Sequence, residues 1–414
     1  MLLNLARSRA LMAERGLDAL VAASPEDVIY ASDFTSWTVD TFRDVAVYAV
    51  VPRAGDPALV CAIDGADYLA GRPAAVARHY TYGTYHIERA PDAVLDDAAA
   101  RLLAIRDGSS HHGSATAALV RALRDCGAAG GAIGVDERGL PPGRWDELAA
   151  ALPGAVLRPA SDLFRAIRLV KTAAEVTRLA DAARAVEEGM RAAFRRAAPG
   201  ATELDLERAF RATVAAAGAA PGHFETTAGT RSAASFPASD YRIRAGDIVR
   251  ADCGGRYRGY WADTGRTVAV GAPPTRLARY YAALAAGIDA ILAAVRPGVA
   301  VDTLFATGVE TVRAAGIPHY RRHHVGHGIG LDMYEAPLLA PSADDGARRF
   351  GVAAPRLEAG MVVNVELPYY ELGLGGLQIE ETLVVRDDGY ELLTGASRDL
   401  LAYAPAGEAV ADGE

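Results

Sequence analysis

Short apolar runs alternate with longer helical stretches through the first 160 residues, and then the pattern changes. Residues 2–15 carry apolar side chains at helical spacing and stop at Gly16, and the run 19–22 that follows is apolar throughout, as a buried strand is. Two further strand-like runs, 46–51 and 58–63, flank an Arg-Ala-Gly-Asp-Pro turn. Helical stretches near 92–106 and 115–126 come next, and 132–135 is strand-like again. Strands alternating with helices predict an α/β first domain over residues 1–162. From Leu163 an Ala-rich helix runs to Arg196, where Pro199-Gly200 stops it, and Thr202 opens a second helix to about Ala217. Beyond Gly229 the chain turns to glycines and strands, so 163–405 forms a second domain, followed by a short acidic tail at 406–414.

Composition narrows the partners. The net charge is −9 with no basic stripe, which argues against nucleic acid or an anionic membrane surface and leaves small molecules or peptides. Cys61, Cys126 and Cys253 lie far apart, so no disulfide framework is expected, and a reducing, cytoplasmic location follows. The N-terminus carries charge every few residues, unlike a signal peptide, and no later run reads as membrane-spanning.

The chemistry concentrates in the second domain. Residues 250–263 read as a hairpin with Asp252 and Asp263 on its two arms and glycines at 254, 255 and 259 supplying the turn. Carboxylates so close repel unless a cation lies between them. Residues 321–337 hold His323, His324 and His327, with glycines at 326, 328 and 330 keeping bulk away from His327. If 323–327 is extended, His323 and His327 share a face and His324 points away. Two apolar strands then carry Glu366 and Glu380, and a carboxylate in so apolar a strand needs a partner or an ion.

These clusters, in this order, resemble the pita-bread metalloenzymes: methionine aminopeptidase, aminopeptidase P, prolidase and the non-metal relative creatinase. The likeness reaches beyond the ligands. Residues 9–30 look like the opening of a creatinase-type N-terminal domain, and Arg168-Leu-Val-Lys171 with Ala174-Glu175 looks like the helix that opens the catalytic domain. The resemblance implies an α/β creatinase-like N-terminal domain and an α+β pita-bread catalytic domain. It implies two divalent ions, Mn, Co, Zn or Fe, held by Asp252, Asp263, His327, Glu366 and Glu380, with Glu380 bridging both. Glu366 would also shuttle the proton from an activated water to the leaving nitrogen, and His323 would line the substrate pocket. A homodimer is implied too, with Trp37 and Arg43 as candidates to reach a partner's site.

The sequence departs from the family at four places. One expected histidine falls at Ser235 or Phe236, and the other at Tyr334, which keeps a hydroxyl donor. An expected arginine is Gln378, and an expected threonine is Gly265, although Arg266 remains. The segment between Tyr334 and Glu366, with Ser342 to Arg349, is also longer than usual. The resemblance implies hydrolysis of peptides with proline second. The departures leave open a small non-peptide substrate, handled by a C–N hydrolase or a lyase, while a catalytically dead binding module fits poorly with five retained ligands.

Overall fold

The computed structural model describes residues 2–42, 45–72 and 75–403, so Arg43 and the tail 406–414 lie outside the described residues. The chain divides into two compact units, one ending at Arg168 and the other beginning at Leu169. The expected boundary at 162 would cut off the helix Ser161–Arg168, which is bound into the first unit. Ser161 Oγ donates to Asp136 Oδ1 at 2.6 Å, Arg7 Nε to Ala166 O at 3.0 Å, and Arg168 pairs with Asp27 at 2.8 Å with both side chains buried.

The first unit is built on a seven-stranded sheet, with Ala19–Ala22 an interior strand between Tyr48–Pro52 and Ala132–Val135. Ala19–Ala22 runs antiparallel to the first neighbour and parallel to the second. Its four residues are buried on both faces, which is why the run shows no polar alternation. Three strands of this sheet, Arg78–Tyr82, Ser110–His112 and Val156–Pro159, have mixed or polar sequences that carry no strand period, and pairing with neighbours decides them.

The second unit holds two larger sheets, mostly antiparallel, with Leu401–Tyr403 added parallel to Tyr260–Val270, and a third sheet of two strands. Of the larger two, one contains Ala220–Ala228, Ile248–Tyr257 and Tyr260–Val270, and the other contains Gly326–Gly328, Val362–Glu366 and Glu380–Arg386. The long helix predicted from Leu163 begins instead at Ala173, where Thr172 and Glu175 form a reciprocal capping box, and ends at Phe194. It packs with the helix Glu203–Ala216 on the first sheet through a core that includes Val186, Phe210, Phe224 and Cys253. The helix Thr275–Ala294 is long and apolar enough to span a membrane by length and composition, contrary to the sequence expectation. Its role here is a core helix, burying Leu284, Ile288 and Ile291, with Gly287 letting Val312 and Leu367 approach.

The hairpin turn lies at Arg258-Gly259, both at positive φ, and not at Gly254 or Gly255, which sit inside the strand Ile248–Tyr257. The two sheets are tied together at the ends that carry the carboxylates. Arg266 donates to Glu381 Oε1 at 2.6 Å, to Ser397 O and Ala396 O at 2.9 Å each, and to Glu380 O. Asn364 Nδ2 donates to Asp263 O at 3.0 Å, and Gln378 N donates to Thr267 Oγ1 at 2.8 Å. Arg266 and Glu381 are both buried, so deleting Arg266 leaves a buried carboxylate with only the more distant Arg398, at 3.7 Å, and the Thr394 hydroxyl to balance it. Arg266→Met is expected to cost about 3–5 kcal/mol, read as a lower urea midpoint. A shift of less than about 1 kcal/mol would mean that the strand ends hold together without the guanidinium.

Candidate metal centre

Strand parity gathers the carboxylates. On Ile248–Tyr257, Asp252 and Gly254 share a face, because alternate residues do, and Cys253 points the other way into the core. Across the hairpin Asp263 pairs with Gly254 and Gly265 pairs with Asp252. Each aspartate therefore faces a glycine, and no side chain of the hairpin itself stands across from either carboxylate. In the second sheet Glu366 pairs directly with Glu380, and His327 lies on the next strand opposite Asn364. Cys253 donates its thiol to Thr264 O at 3.4 Å and is a packed strand residue.

The structure brings Asp263, His327 and Glu380 into one buried group whose ligand atoms lie within 4.8 Å of one another. The second group of this kind is Asp252 and Asp263 with His223, a residue not anticipated from the sequence. His223 stands on Ala220–Ala228 with Nε2 at 3.2 Å from Asp252 Oδ1 and 3.3 Å from Asp263 Oδ1. Pro-Gly ahead of it hides the strand, and only the pairing with Ile248–Tyr257 shows which way the ring faces.

Glu366 is buried, with Arg322 Nη2 at 3.3 Å from Oε2 and His324 Nδ1 at 3.1 Å from Oε1. This reverses the expected order of the two histidines. His324 is the buried one and His323 is exposed, its ring 4.3 Å from that of His324, because the backbone at 321–325 is not a strand and does not alternate. Tyr334 stacks on His327 with ring centroids 3.6 Å apart. The longer segment forms the helix Ala343–Phe350, and its Arg349 lies over the other face of Tyr334 at 4.5 Å. Ser235 and Phe236 are exposed, and Phe236 lies under the Arg231 guanidinium.

Electrostatics shows the strain of so many carboxylates in a dry place. Burial, with repulsion from Asp263, Asp252 and Glu366, pushes the Glu380 carboxyl well above its usual range. Burial likewise raises Glu366 to about 7 in spite of Arg322. Burial also raises Asp263, but the imidazoles of His223 and His327 on either side of its carboxylate more than offset it and bring it down to about 2. Burial lowers His324, with Arg322 beside it, to about 2, so that imidazole is neutral. Burial pushes the Tyr334 hydroxyl up, as do the nearby carboxylates, so it is a proton donor in the neutral form.

The donor set fits a divalent cation. His327 Nδ1 lies 2.9 Å from Gly328 O, and a carbonyl only accepts, so Nδ1 carries the proton and Nε2 the lone pair. That lone pair faces Asp263 Oδ2 at 3.6 Å. Nε2 of His327, Oδ1 of Asp263 and Oε1 of Glu366 are all buried without a hydrogen-bond partner. Buried acceptors converging on one another repel, whereas all of them can ligate an ion.

Known proteins resemble the chain over its length. Residues 177–387 match the model of metallopeptidase family M24, and residues 4–170 match the creatinase/prolidase N-terminal domain. A probable dipeptidase, PepE, of Mycobacterium tuberculosis is 29% identical over 410 residues, covering 96% of this chain and 95% of that protein. An Xaa-Pro dipeptidase of Pyrococcus furiosus is 28% identical over 243 residues, 58% of this chain and 67% of the relative. The crystal structure of dipeptidase PepE from Mycobacterium ulcerans superposes with a TM-score of 0.71 at 27% identity, covering 97% of each chain. An Xaa-Pro dipeptidase from Bacillus anthracis shares the fold, with a TM-score of 0.75 at 22% identity over 96% of this chain and 99% of that one. The N-terminal domain is thus creatinase-like and the catalytic domain has the pita-bread fold, and the chain belongs to metallopeptidase family M24.

Proposed function

We propose that the protein hydrolyses the Xaa-Pro bond of short peptides, with two divalent ions held by Asp252, Asp263, His327, Glu366 and Glu380. The observation that carries this reading is the His327 lone pair, fixed by the Gly328 carbonyl and facing the buried carboxylate of Asp263 in one group with Glu380. The substrate class is supported by the relatives, named dipeptidase or Xaa-Pro dipeptidase. Mixed carboxylate and imidazole donors suit Mn, Co, Zn or Fe. A cytoplasmic homodimer belongs to the same proposal, on composition and family resemblance.

The ions supply Lewis-acid polarisation of the scissile carbonyl and of water. The protein's own groups do the rest. Glu366, buried at the end of its strand with Arg322 on Oε2, is placed to accept a proton and pass it to the leaving nitrogen. Arg322 fixes its Oε2, and His324 Nδ1 stands 3.1 Å from its Oε1. The Tyr334 hydroxyl donates to the carbonyl oxygen as charge builds there, taking the place of the family's imidazole. Its ring is held by His327 on one side and Arg349 on the other. His323, exposed beside His324, is the outer of the two histidines and meets the substrate.

Full-length protein loaded with Mn or Co should cleave Xaa-Pro dipeptides, lose the activity on chelation and regain it with metal. Metal-loaded protein that cleaves no Xaa-Pro dipeptide or tripeptide would remove the substrate assignment and leave the ions in place. Chelation should also lower unfolding stability, by about 2.7 kcal/mol relative to a metal concentration 100 times the Kd. Tyr334→Phe keeps the ring stack, so metal content should stay constant while kcat falls by about 10²–10³-fold. An unchanged kcat would take the hydroxyl out of the reaction.

A further inference from the structure

The five carboxylate and imidazole ligands leave His223 unexplained. It precedes Phe224, which points into the helix-covered core, so strand alternation turns His223 to the face that carries Asp252. The pairing shifts register between Pro221 and Phe224, so Gly222 and His223 together stand across from Gly254. Such a bulge bends the strand and re-aims a side chain. Gly254 completes the fit. A Cβ there would lie 2.4 Å from His223 Cε1 and 2.8 Å from Nδ1, so the imidazole occupies the room that any side chain at 254 would need.

The ring delivers Nε2 to a point 3.2 Å from Asp252 Oδ1 and 3.3 Å from Asp263 Oδ1. Two accounts compete for this contact. An N–H on Nε2 can be aimed at one carboxylate, and charge-assisted hydrogen bonds of that kind run about 2.7–2.9 Å. Asp263 Oδ1 would then stay buried without a hydrogen-bond partner, as it is among the described residues. Donors that share one ion at about 2.0–2.2 Å lie roughly 3.0–3.4 Å apart, the spacing of the edges of a coordination shell. Both distances fall in that range, and an ion would satisfy all three atoms together.

We infer that His223 is a metal ligand through Nε2, binding the ion held between Asp252 and Asp263. The inference rests on the metal-centre reading above and extends it. Asp263 then stands between two imidazoles, with Oδ1 toward His223 and Oδ2 toward His327. Each of the two positions has one nitrogen ligand, so neither is an all-oxygen site. Nitrogen favours Mn, Fe, Co or Zn over Mg or Ca at the Asp252 position as well.

The test uses the full-length protein and Co(II) or Mn(II) alone, without substrate. X-ray absorption of the protein with two Co(II) bound should count two imidazoles per pair of ions, and calorimetric titration should find two tight equivalents. His223→Ala should keep the first equivalent and weaken the second by roughly 10–100-fold, with the imidazole count falling to one. His223→Gln keeps an N–H donor of similar reach but no imidazole, so the second equivalent should weaken as it does in His223→Ala. Two tight equivalents in His223→Gln, or one imidazole per ion pair in the unaltered protein, would overturn the inference and leave His223 as a hydrogen-bond donor that positions Asp252. Should His223→Ala fail to fold, the imidazole count of the unaltered protein decides alone. An unaltered protein that bound no metal would sink the metal-centre reading itself, a different result from either.

Discussion

Repulsion among acceptors in a dry cleft is the constraint on which the catalytic domain depends. Asp263, Glu366 and Glu380 are buried, Asp252 is half-buried beside them, and the His327 lone pair faces the same space. Hydrogen bonding relieves only part of this, because at least three of the converging atoms have no donor. Two buried or nearly buried arginines take up some of the charge. Arg322 reaches Glu366 at 3.3 Å, and Arg250, fully buried, comes within 3.7 Å of Asp252 Oδ2. The remaining negative charge is what a divalent ion would neutralise, so metal binding and the stability of the domain are coupled.

The backbone makes the crowding possible. Large side chains opposite Asp252 and Asp263 would push the carboxylates apart, and in both places the cross-strand residue is a glycine. The carbonyl of Asp263 is gripped from the second sheet by Asn364 Nδ2 and Thr382 Oγ1, which holds one sheet's ligand relative to the other's. Arg266 does the same for the carbonyl of Glu380. Ligand geometry is thus set in part by hydrogen bonds to main-chain atoms of the ligands themselves.

Much of this was legible in the sequence, and the failures have physical causes. Asp252 and Asp263 could be placed together because a hairpin's alternation is set by its sequence pattern, even though the turn lies at Arg258-Gly259 and the inner glycines serve as clearance. Glu366 and Glu380 could be placed because carboxylates inside apolar strands announce an unmet charge. His223 was hidden because a bulge decides its direction, and a bulge is a property of pairing between strands. His323 and His324 were exchanged because alternation was assumed where the backbone is irregular. In the first unit, polar strands such as Ser110–His112 are fixed by their neighbours and have no period of their own.

The departures from the family pattern are coupled to one another. A Cβ at Gly265 would lie 2.2 Å from Gln378 Cγ, so a threonine at 265 and the glutamine in its present place exclude each other. Gln378 Nε2 donates to Glu380 Oε2 at 3.4 Å, and Tyr370 OH donates to Gln378 Oε1 at 3.4 Å. Positive charge at the site comes from Arg250 on Ile248–Tyr257, 3.7 Å from Asp252 Oδ2. Arg250, two residues before Asp252 and so on the same face, lies over the Tyr370 ring at 5.2 Å. Its Nε donates to Ser232 O at 3.1 Å, which secures the segment that lacks the family's histidine. A residue-by-residue comparison counts two separate losses at 265 and 378, whereas in the structure they fit each other, the glycine leaving the room that the glutamine fills.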